Sequence, residues 1–205
     1  MKFNEQGRSM IEMLGVLAIV GVLSVGGIAG YSKAMAKFNT NKAIDQVNMI
    51  ATNIRTMFAS QRSYAGLDDS VAIKAGLIPA ELFVPAATYT SGSAITNPFG
   101  GNISVGAVTY SVANDAFAIS MDDVPESACV ALLTSEWGSE VGGGLASITV
   151  KSSDAKDAKA AAYTSTSANA SRNANFTLAS DTIPVSVANA TTACADDATL
   201  TWIYF

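Results

Sequence analysis

The feature that most constrains this chain is an apolar run near its start. From Met13 to Tyr31 the sequence contains no charged residue, and about 20 mainly apolar residues are enough for a helix to span the hydrocarbon core of a membrane. A carboxylate, Glu12, stands immediately before this run. An ionisable group costs roughly 2.5 to 3.5 kcal/mol at the bilayer centre, so such groups generally have a partner and a function. The sequence predicts a membrane-spanning helix and makes Glu12 a candidate functional residue.

The apolar run continues, without a helix stop signal, into a segment with a different pattern. Apolar residues recur there at three- and four-residue spacing, which is typical of a helix that buries one face. They are Val47, Ile50, Ile54, Met57 and Phe58, and polar residues alternate with them at Asp45, Asn48, Asn53 and Arg55. The patterns predict one helix from about Ser9 to about Ser60, apolar all round in its first half and amphipathic in its second.

Composition excludes several kinds of chemistry. The 205 residues include no histidine, which removes the general base of Ser-His-Asp and Cys-His sites and the usual ligand of zinc sites. The formal net charge is −5 and the lysines and arginines are scattered, whereas nucleic-acid binding depends on clustered cations. We therefore predict no catalytic residue, no metal site, no cofactor and no nucleic-acid partner.

The two cysteines, Cys129 and Cys194, lie far apart and form no C-x-x-C motif. They are either two inert buried thiols or one disulfide. If the N-terminal segment delivers the chain across a membrane, the oxidising side favours the disulfide.

Beyond the long helix, the patterns predict an α+β domain. We expect a short helix over Val71–Ala75, capped by Asp69 or Ser70 and stopped by Gly76, and a second helix over Ser127–Trp137 with Pro125 in its first turn. The expected strands are Ile103–Val112, Ala116–Met121, Leu145–Val150, Phe176–Leu178, Ile183–Val187 and Leu200–Phe205, with a hairpin turn at Asn114–Asp115 and a break at Gly142–Gly144. An antiparallel sheet of roughly four to six strands should pack against the amphipathic half of the long helix, and the hydrophobic half should protrude.

The first residues carry a more specific pattern. A short polar leader ends in Gly7, and the stretch Arg8-Ser-Met-Ile-Glu12 then leads into the apolar run. This arrangement resembles the N-terminus of type IV pilins and the related pseudopilins. In that family a membrane peptidase cuts after the glycine, methylates the new amino terminus and leaves a glutamate five residues into the mature chain. The resemblance implies cleavage between Gly7 and Arg8, N-methylation of Arg8 and an assembly role for Glu12, although the family usually has a hydrophobic residue in place of Arg8.

Later segments are similar to the type IVb subgroup of this family. They are Tyr64 to Pro79, Asn97-Pro-Phe-Gly-Gly101, and Val124 to Leu133, in which Cys129 opens a helix. A second cysteine ahead of a closing strand also fits the subgroup, so the resemblance implies a disulfide between Cys129 and Cys194.

No proline interrupts the apolar helix, although many relatives carry one, and glycines stand inside it instead. Gly26 and Gly30 have the G-x-x-x-G spacing that lets helix backbones approach closely. Two roles are open for these glycines: close packing against other helices, or a segment that unwinds when the subunit leaves the bilayer.

The resemblance also implies a domain organisation. Residues 1–7 are the leader, residues 8–60 form the long helix with a transmembrane and filament-core half at 10–31, and residues 61–205 form a globular head with a disulfide-bounded region at 129–194. The implied partners are further copies of the chain in a helical filament, a prepilin peptidase, an inner-membrane assembly platform and membrane lipid before assembly.

The implied function is a structural subunit of a type IVb-like pilus. Such a subunit is held in the inner membrane as a precursor and then joins a surface filament for adhesion, aggregation, motility or conjugation. Two alternatives are a minor pilin or type II secretion pseudopilin, and a single-pass anchored binding protein whose apolar run never leaves the lipid.

Overall fold

The long helix, α1, runs from Gln6 to Phe58 in the computed structural model of the chain, which describes residues 6–61, 63–83, 95–137, 144–151, 176–179 and 184–205. The chain divides into two compact units, Met1–Phe38 and Asn39–Phe205, and the boundary lies inside α1. The other described helices and strands belong to the second unit.

The part of α1 in the second unit buries one face in the core. Its buried apolar residues are Ala43, Val47, Ile50, Ala51, Ile54 and Phe58. The expected position of Met57 on this face is wrong, because its side chain is 50% exposed. Phe58 lies about one turn beyond Ile54 and fills the core position, which turns Met57 roughly 100° away. Asn53 is only half exposed and donates a hydrogen bond from Nδ2 to the Leu77 carbonyl at 2.9 Å.

A short helix, α2 (Asp69–Lys74), follows α1. Its cap is Asp68, whose Oδ1 accepts the Val71 N–H at 2.7 Å, so the expected cap at Asp69 or Ser70 is wrong. Asp69 is occupied elsewhere, because its Oδ1 accepts the Val105 N–H at 2.6 Å. Gly76, expected as the stop, has a φ of +70° two residues after the end of α2. A positive φ at this place is typical of helix C-termini.

In the described part of the chain the sheet contains six strands in the order β1-β2-β3-β6-β4-β5, and every neighbouring pair is antiparallel. The strands are β1 (Ile95–Thr96), β2 (Asn102–Val108), β3 (Ala116–Val124), β4 (Leu145–Lys151), β5 (Phe176–Ala179) and β6 (Ala198–Tyr204). The described helices that lie between them along the chain are α3 (Glu126–Leu133) and α4 (Val187–Ala193). The α+β class and the expected strand number are therefore confirmed.

Strand β6 lies in the middle of the sheet although it comes last along the chain. Trp202 on β6 is opposite Ile119 of β3 on one side and Ile148 of β4 on the other. The buried residues of β6 alternate with half-exposed ones, as expected for a strand with one face on a core. The Trp202 ring lies 5.1 Å from the Trp137 ring, and the Tyr204 ring stacks on Phe117.

The strand β2 ends at Val108, four residues earlier than the alternation predicts. The cause is Asp115, whose carboxylate accepts the N–H groups of Tyr110, Ser111 and Val112 at 2.7 to 2.9 Å. These backbone donors therefore bond to a side chain within the loop instead of extending the ladder. The β2–β3 hairpin is present, with Asn114 in its loop at a φ of +57°.

Two further expectations are wrong. The strand expected over Ile183–Val187 is absent from its described residues, because Ser186 accepts the Asn189 N–H and caps α4, which begins at Val187. Ile183 itself lies outside the described residues, as do Gly142 and Gly143 of the expected break. Helix α3 ends at Leu133 rather than at Trp137, and the Trp137 indole N–H donates to the Leu132 carbonyl at 2.7 Å.

Arg55 connects α1 to the end of β6. Its guanidinium lies 4.9 Å from the centre of the Tyr204 ring, and its Nε donates to the Phe205 carbonyl at 3.2 Å. Gly144, with a φ of +63°, leaves room for it, because a Cβ there would collide with the guanidinium. Arg55, one of the polar residues that alternate with the apolar stripe, is partly exposed and also contacts the sheet.

Gly144→Ala should destabilise the second unit by about 2 to 3 kcal/mol. The positive φ accounts for about 1 to 2 kcal/mol, and displacement of Arg55 from Tyr204 and Phe205 adds the rest. Gly76→Ala is the matched control, because its φ of +70° is similar and a Cβ there meets nothing within 4 Å. Urea unfolding of both variants measures the difference. In an Arg55→Ala background the two substitutions should cost the same, and a persistent excess for Gly144→Ala would contradict the steric explanation.

Asp115→Asn should lower the melting temperature at pH 7 by a few degrees, because one amide cannot accept all three loop N–H groups. Slight desolvation raises the pKa of the Asp115 carboxyl, but the N–H groups of Tyr110, Val112 and Ser111 lower it further, to below its ordinary value. A carboxyl whose pKa is lowered by folding stabilises the fold at pH values above its unfolded pKa. This stabilisation is lost as the pH falls through the folded pKa. The difference from wild type should therefore be constant above about pH 5 and shrink below about pH 4.

The control for this loop is Asp45→Asn, which removes an exposed carboxylate from α1. Thermal unfolding at pH 7 and at pH 3 distinguishes the two variants. An equal effect of both substitutions at pH 7 would show that the loop hydrogen bonds of Asp115 do not stabilise the fold.

Candidate functional site

The apolar half of α1 has almost no cover from the described residues of its own chain. Between Met10 and Tyr31 the exposed fractions of the large apolar side chains run from 52% to 75%. The most apolar stretch of this helix has no buried residue, so by length and composition it could cross a membrane. Burial of one such side chain is worth roughly 1.5 to 3 kcal/mol. This half of α1 is therefore stable only where lipid or other apolar helices surround it.

Glu12 is exposed on this helix. Gly30 follows Glu12 by 18 residues (30 − 12), which is five turns at 3.6 residues per turn, and Gly26 lies about one turn before Gly30. The carboxylate and the two glycines therefore share one face of the helix. That face presents a charge at one end and a shallow backbone surface at the other.

Among the described residues, nothing packs against the glycines of the apolar half. A Cβ added at Gly26 or Gly30 would meet nothing within 4 Å, whereas a Cβ at Gly101 would overlap the Asp122 carbonyl. Each glycine costs roughly 1 kcal/mol of helix stability relative to alanine. The described residues therefore give no packing reason for these two glycines, and both sequence-based interpretations, close packing against other helices and unwinding, remain predictions.

Gly7 and Arg8, the residues on either side of the predicted cleavage site, belong to the first turns of α1. The leader residues 1–5 lie outside the described part of the chain. Cleavage after Gly7 and methylation of Arg8 stay predictions.

The disulfide implied by the resemblance is present. Cys129 lies in α3 and Cys194 is the residue that ends α4, and their Cα atoms are 5.8 Å apart. Both residues are buried. The bridge therefore fixes α3 to the chain just before β6, across a sequence separation of 65 residues that includes β4 and β5. Residues 152–175 of this region lie outside the described residues.

Within the described part of the second unit, the ionisable groups do not assemble into a chemical site. Among the described residues no group of three or more His, Cys, Asp or Glu side chains could hold a metal ion. Partial burial raises the pKa of Asp69 although the Val105 N–H opposes this, and burial raises the pKa of Tyr204 although Arg55 opposes this. Asp69 and Tyr204 therefore have contacts within the fold, and these contacts explain why the two groups are partly or fully buried.

Comparison with known proteins gives a consistent family. Residues 37–183 match the family model described as PilS N terminal. The major structural subunit of the bundle-forming pilus of Escherichia coli O127:H6 is 30% identical over 142 residues, which cover 69% of this chain and 70% of that protein. The toxin coregulated pilin of Vibrio cholerae is 27% identical over 139 residues, which cover 65% of this chain and 59% of that protein.

Among solved structures, a type IV b pilin from Salmonella typhi is 22% identical to this chain with a TM-score of 0.49. The match covers 79% of this chain and 97% of that one.

Replacement of both cysteines by serine should lower the free energy of unfolding by about 4 kcal/mol, because the bridge closes a loop of 65 residues. Cys129→Ser alone should cost nearly the same, since either change opens the loop. Urea unfolding of the full chain in detergent measures both. Wild type treated with a reductant should match the double variant, and an unfolding midpoint that does not move on reduction would contradict the stabilising role.

Proposed function

Since this chain belongs to the type IV pilin family, we infer that it is a structural subunit of a pilus, a filament on the cell surface. The observation that carries this function is the apolar half of α1, whose large side chains are more than half exposed in the isolated chain. A surface of this kind needs lipid or further helices around it, and a filament core built from many copies supplies such helices.

We propose that the subunit occupies two environments in turn. As a precursor it is held in the inner membrane by residues 10–31 of α1, with the second unit on the outer side. A prepilin peptidase removes residues 1–7 and methylates Arg8, and an inner-membrane assembly platform then moves the subunit into the filament. The length and hydropathy of the helix support the membrane stage.

In this proposal Glu12 pairs with the positive amino terminus that cleavage creates on Arg8 of an adjacent subunit. The support is electrostatic: Glu12 is the only charged residue in the segment 10–31, and a carboxylate that enters a low-dielectric helix bundle needs a cationic partner. An ammonium is suited to this, because charge-assisted hydrogen bonds are the strong ones. Glu12 thereby fixes the register of neighbouring helices.

The two similar pilus proteins of Escherichia coli and Vibrio cholerae favour a pilus over a secretion pseudopilin, because both are named as pilus subunits. An anchored binding protein is the second candidate, since the same apolar helix could stay in lipid. Such an anchor gains nothing from Glu12. In the filament the role of the subunit is structural, and adhesion or aggregation are the uses we propose for that filament.

Glu12→Ala should reduce the number of surface filaments at least tenfold in cells where this variant replaces the wild-type subunit. The amino terminus of the neighbour would be buried without a partner, at a cost of roughly 3 to 5 kcal/mol. Glu12→Gln keeps the shape without the charge and should fail similarly, whereas Glu12→Asp should assemble better than either. Electron microscopy counts the filaments.

The control for processing is Gly7→Val, which puts a branched side chain at the scissile bond. It should leave a precursor heavier by about seven residues, whereas Glu12→Ala should give the mature mass by mass spectrometry. Wild-type filament numbers for Glu12→Ala would contradict the proposed pairing and favour the anchored binding protein.

A further inference from the structure

The charged residues in the segment that follows the apolar run are all cationic. From Met13 to Ile44 the only charged residues are Lys33, Lys37 and Lys42, although the formal net charge of the whole chain is −5. The positive charge is therefore concentrated where the apolar helix would leave the membrane.

Two of these lysines form a pair on one face of α1. Lys33 and Lys37 are both exposed. Residues four apart lie above one another on a helix, with their Cβ atoms about 6 Å apart. Neither lysine side chain has a hydrogen bond or ion pair with another described residue. Tyr31, two residues before the pair, is 66% exposed, and tyrosine is enriched where a helix crosses the headgroup layer. The pair therefore lies at headgroup depth when residues 10–31 span the hydrocarbon core.

The lysines do not serve to orient the helix. In the proposed topology they lie on the outer side with Lys42, whereas the cytoplasmic side carries Lys2 and Arg8. Membrane proteins generally show the opposite bias, with excess Lys and Arg on the cytoplasmic side. An outward cationic pair that opposes this bias needs a ligand on the outer side to account for it.

We propose that Lys33 and Lys37 bind the phosphate of an anionic lipid headgroup in the outer leaflet of the inner membrane while the subunit is stored there. This proposal rests on the membrane stage of the proposed function. Two ammonium groups one turn apart can contact one phosphate from the same side, and basic groups beside a membrane helix attract anionic lipid. A carboxylate of a second copy is a weaker candidate, because Glu12 is the only acid in the segment 10–31 and already has a proposed partner.

The test uses the full chain reconstituted in vesicles of phosphatidylethanolamine and phosphatidylcholine. Spin-labelled phosphatidylglycerol and spin-labelled phosphatidylcholine are added separately, and electron spin resonance gives their relative association with the protein. Wild type should prefer phosphatidylglycerol on the order of fivefold per lysine at low salt. Lys33→Gln with Lys37→Gln should remove most of this preference, and wild type should lose it in 1 M salt, where the Debye length is about 3 Å.

The matched control is Lys74→Gln with Lys151→Gln, which removes the same charge from two exposed positions of the second unit. It should leave the lipid preference unchanged. Equal loss in both double variants, or no preference in wild type, would overturn the lipid site while leaving the filament result for Glu12 unaffected. If Lys33→Gln with Lys37→Gln abolished filaments and kept the lipid preference, the pair would face a neighbouring subunit instead of a lipid.

Discussion

An apolar helix that the described residues of its own chain leave uncovered is the constraint on which the rest of this protein depends. The large side chains between Met10 and Tyr31 are all more than half exposed, and each would gain roughly 1.5 to 3 kcal/mol from burial. Water is therefore the one environment this half of α1 cannot occupy stably. The proposed storage in lipid, followed by burial among copies of the same helix, would satisfy this constraint at both stages.

The same helix also completes the core of the second unit. Ile50 and Ile54 are fully buried there, and Arg55 binds the end of β6 through Tyr204 and Phe205. Since β6 pairs with both β3 and β4, the last residues of the chain complete the middle of the sheet. The disulfide fixes the chain immediately before this strand. The second unit therefore depends on contacts between residues far apart in sequence, which is typical of slow-folding sheet proteins.

The errors of the sequence-based predictions share a physical cause. Met57 satisfies helical spacing as well as Phe58 does, and only the shape of the core decides that Phe58 is buried and Met57 is 50% exposed. The segment before Ser186 is β-like by composition, yet that serine caps α4. Strand β2 stops early because the Asp115 carboxylate takes the N–H groups that would extend it. In each case a contact that the local pattern does not encode decides the outcome: core packing for Phe58, and side-chain hydrogen bonds to the backbone for Ser186 and Asp115.

The sequence by itself determined the long helix, its apolar and amphipathic halves, the α+β class and the positions of most strands, because periodicity and hydropathy are local properties. It also made Glu12 conspicuous, as a lone charge beside an apolar run. Only the tertiary structure decided that β6 lies between β3 and β4 and that Arg55 packs on Tyr204. It also showed that this contact requires Gly144, whereas no described residue comes as close to Gly26 or Gly30. These are contacts between distant residues, and spacing along the chain carries no information about which distant surfaces fit together.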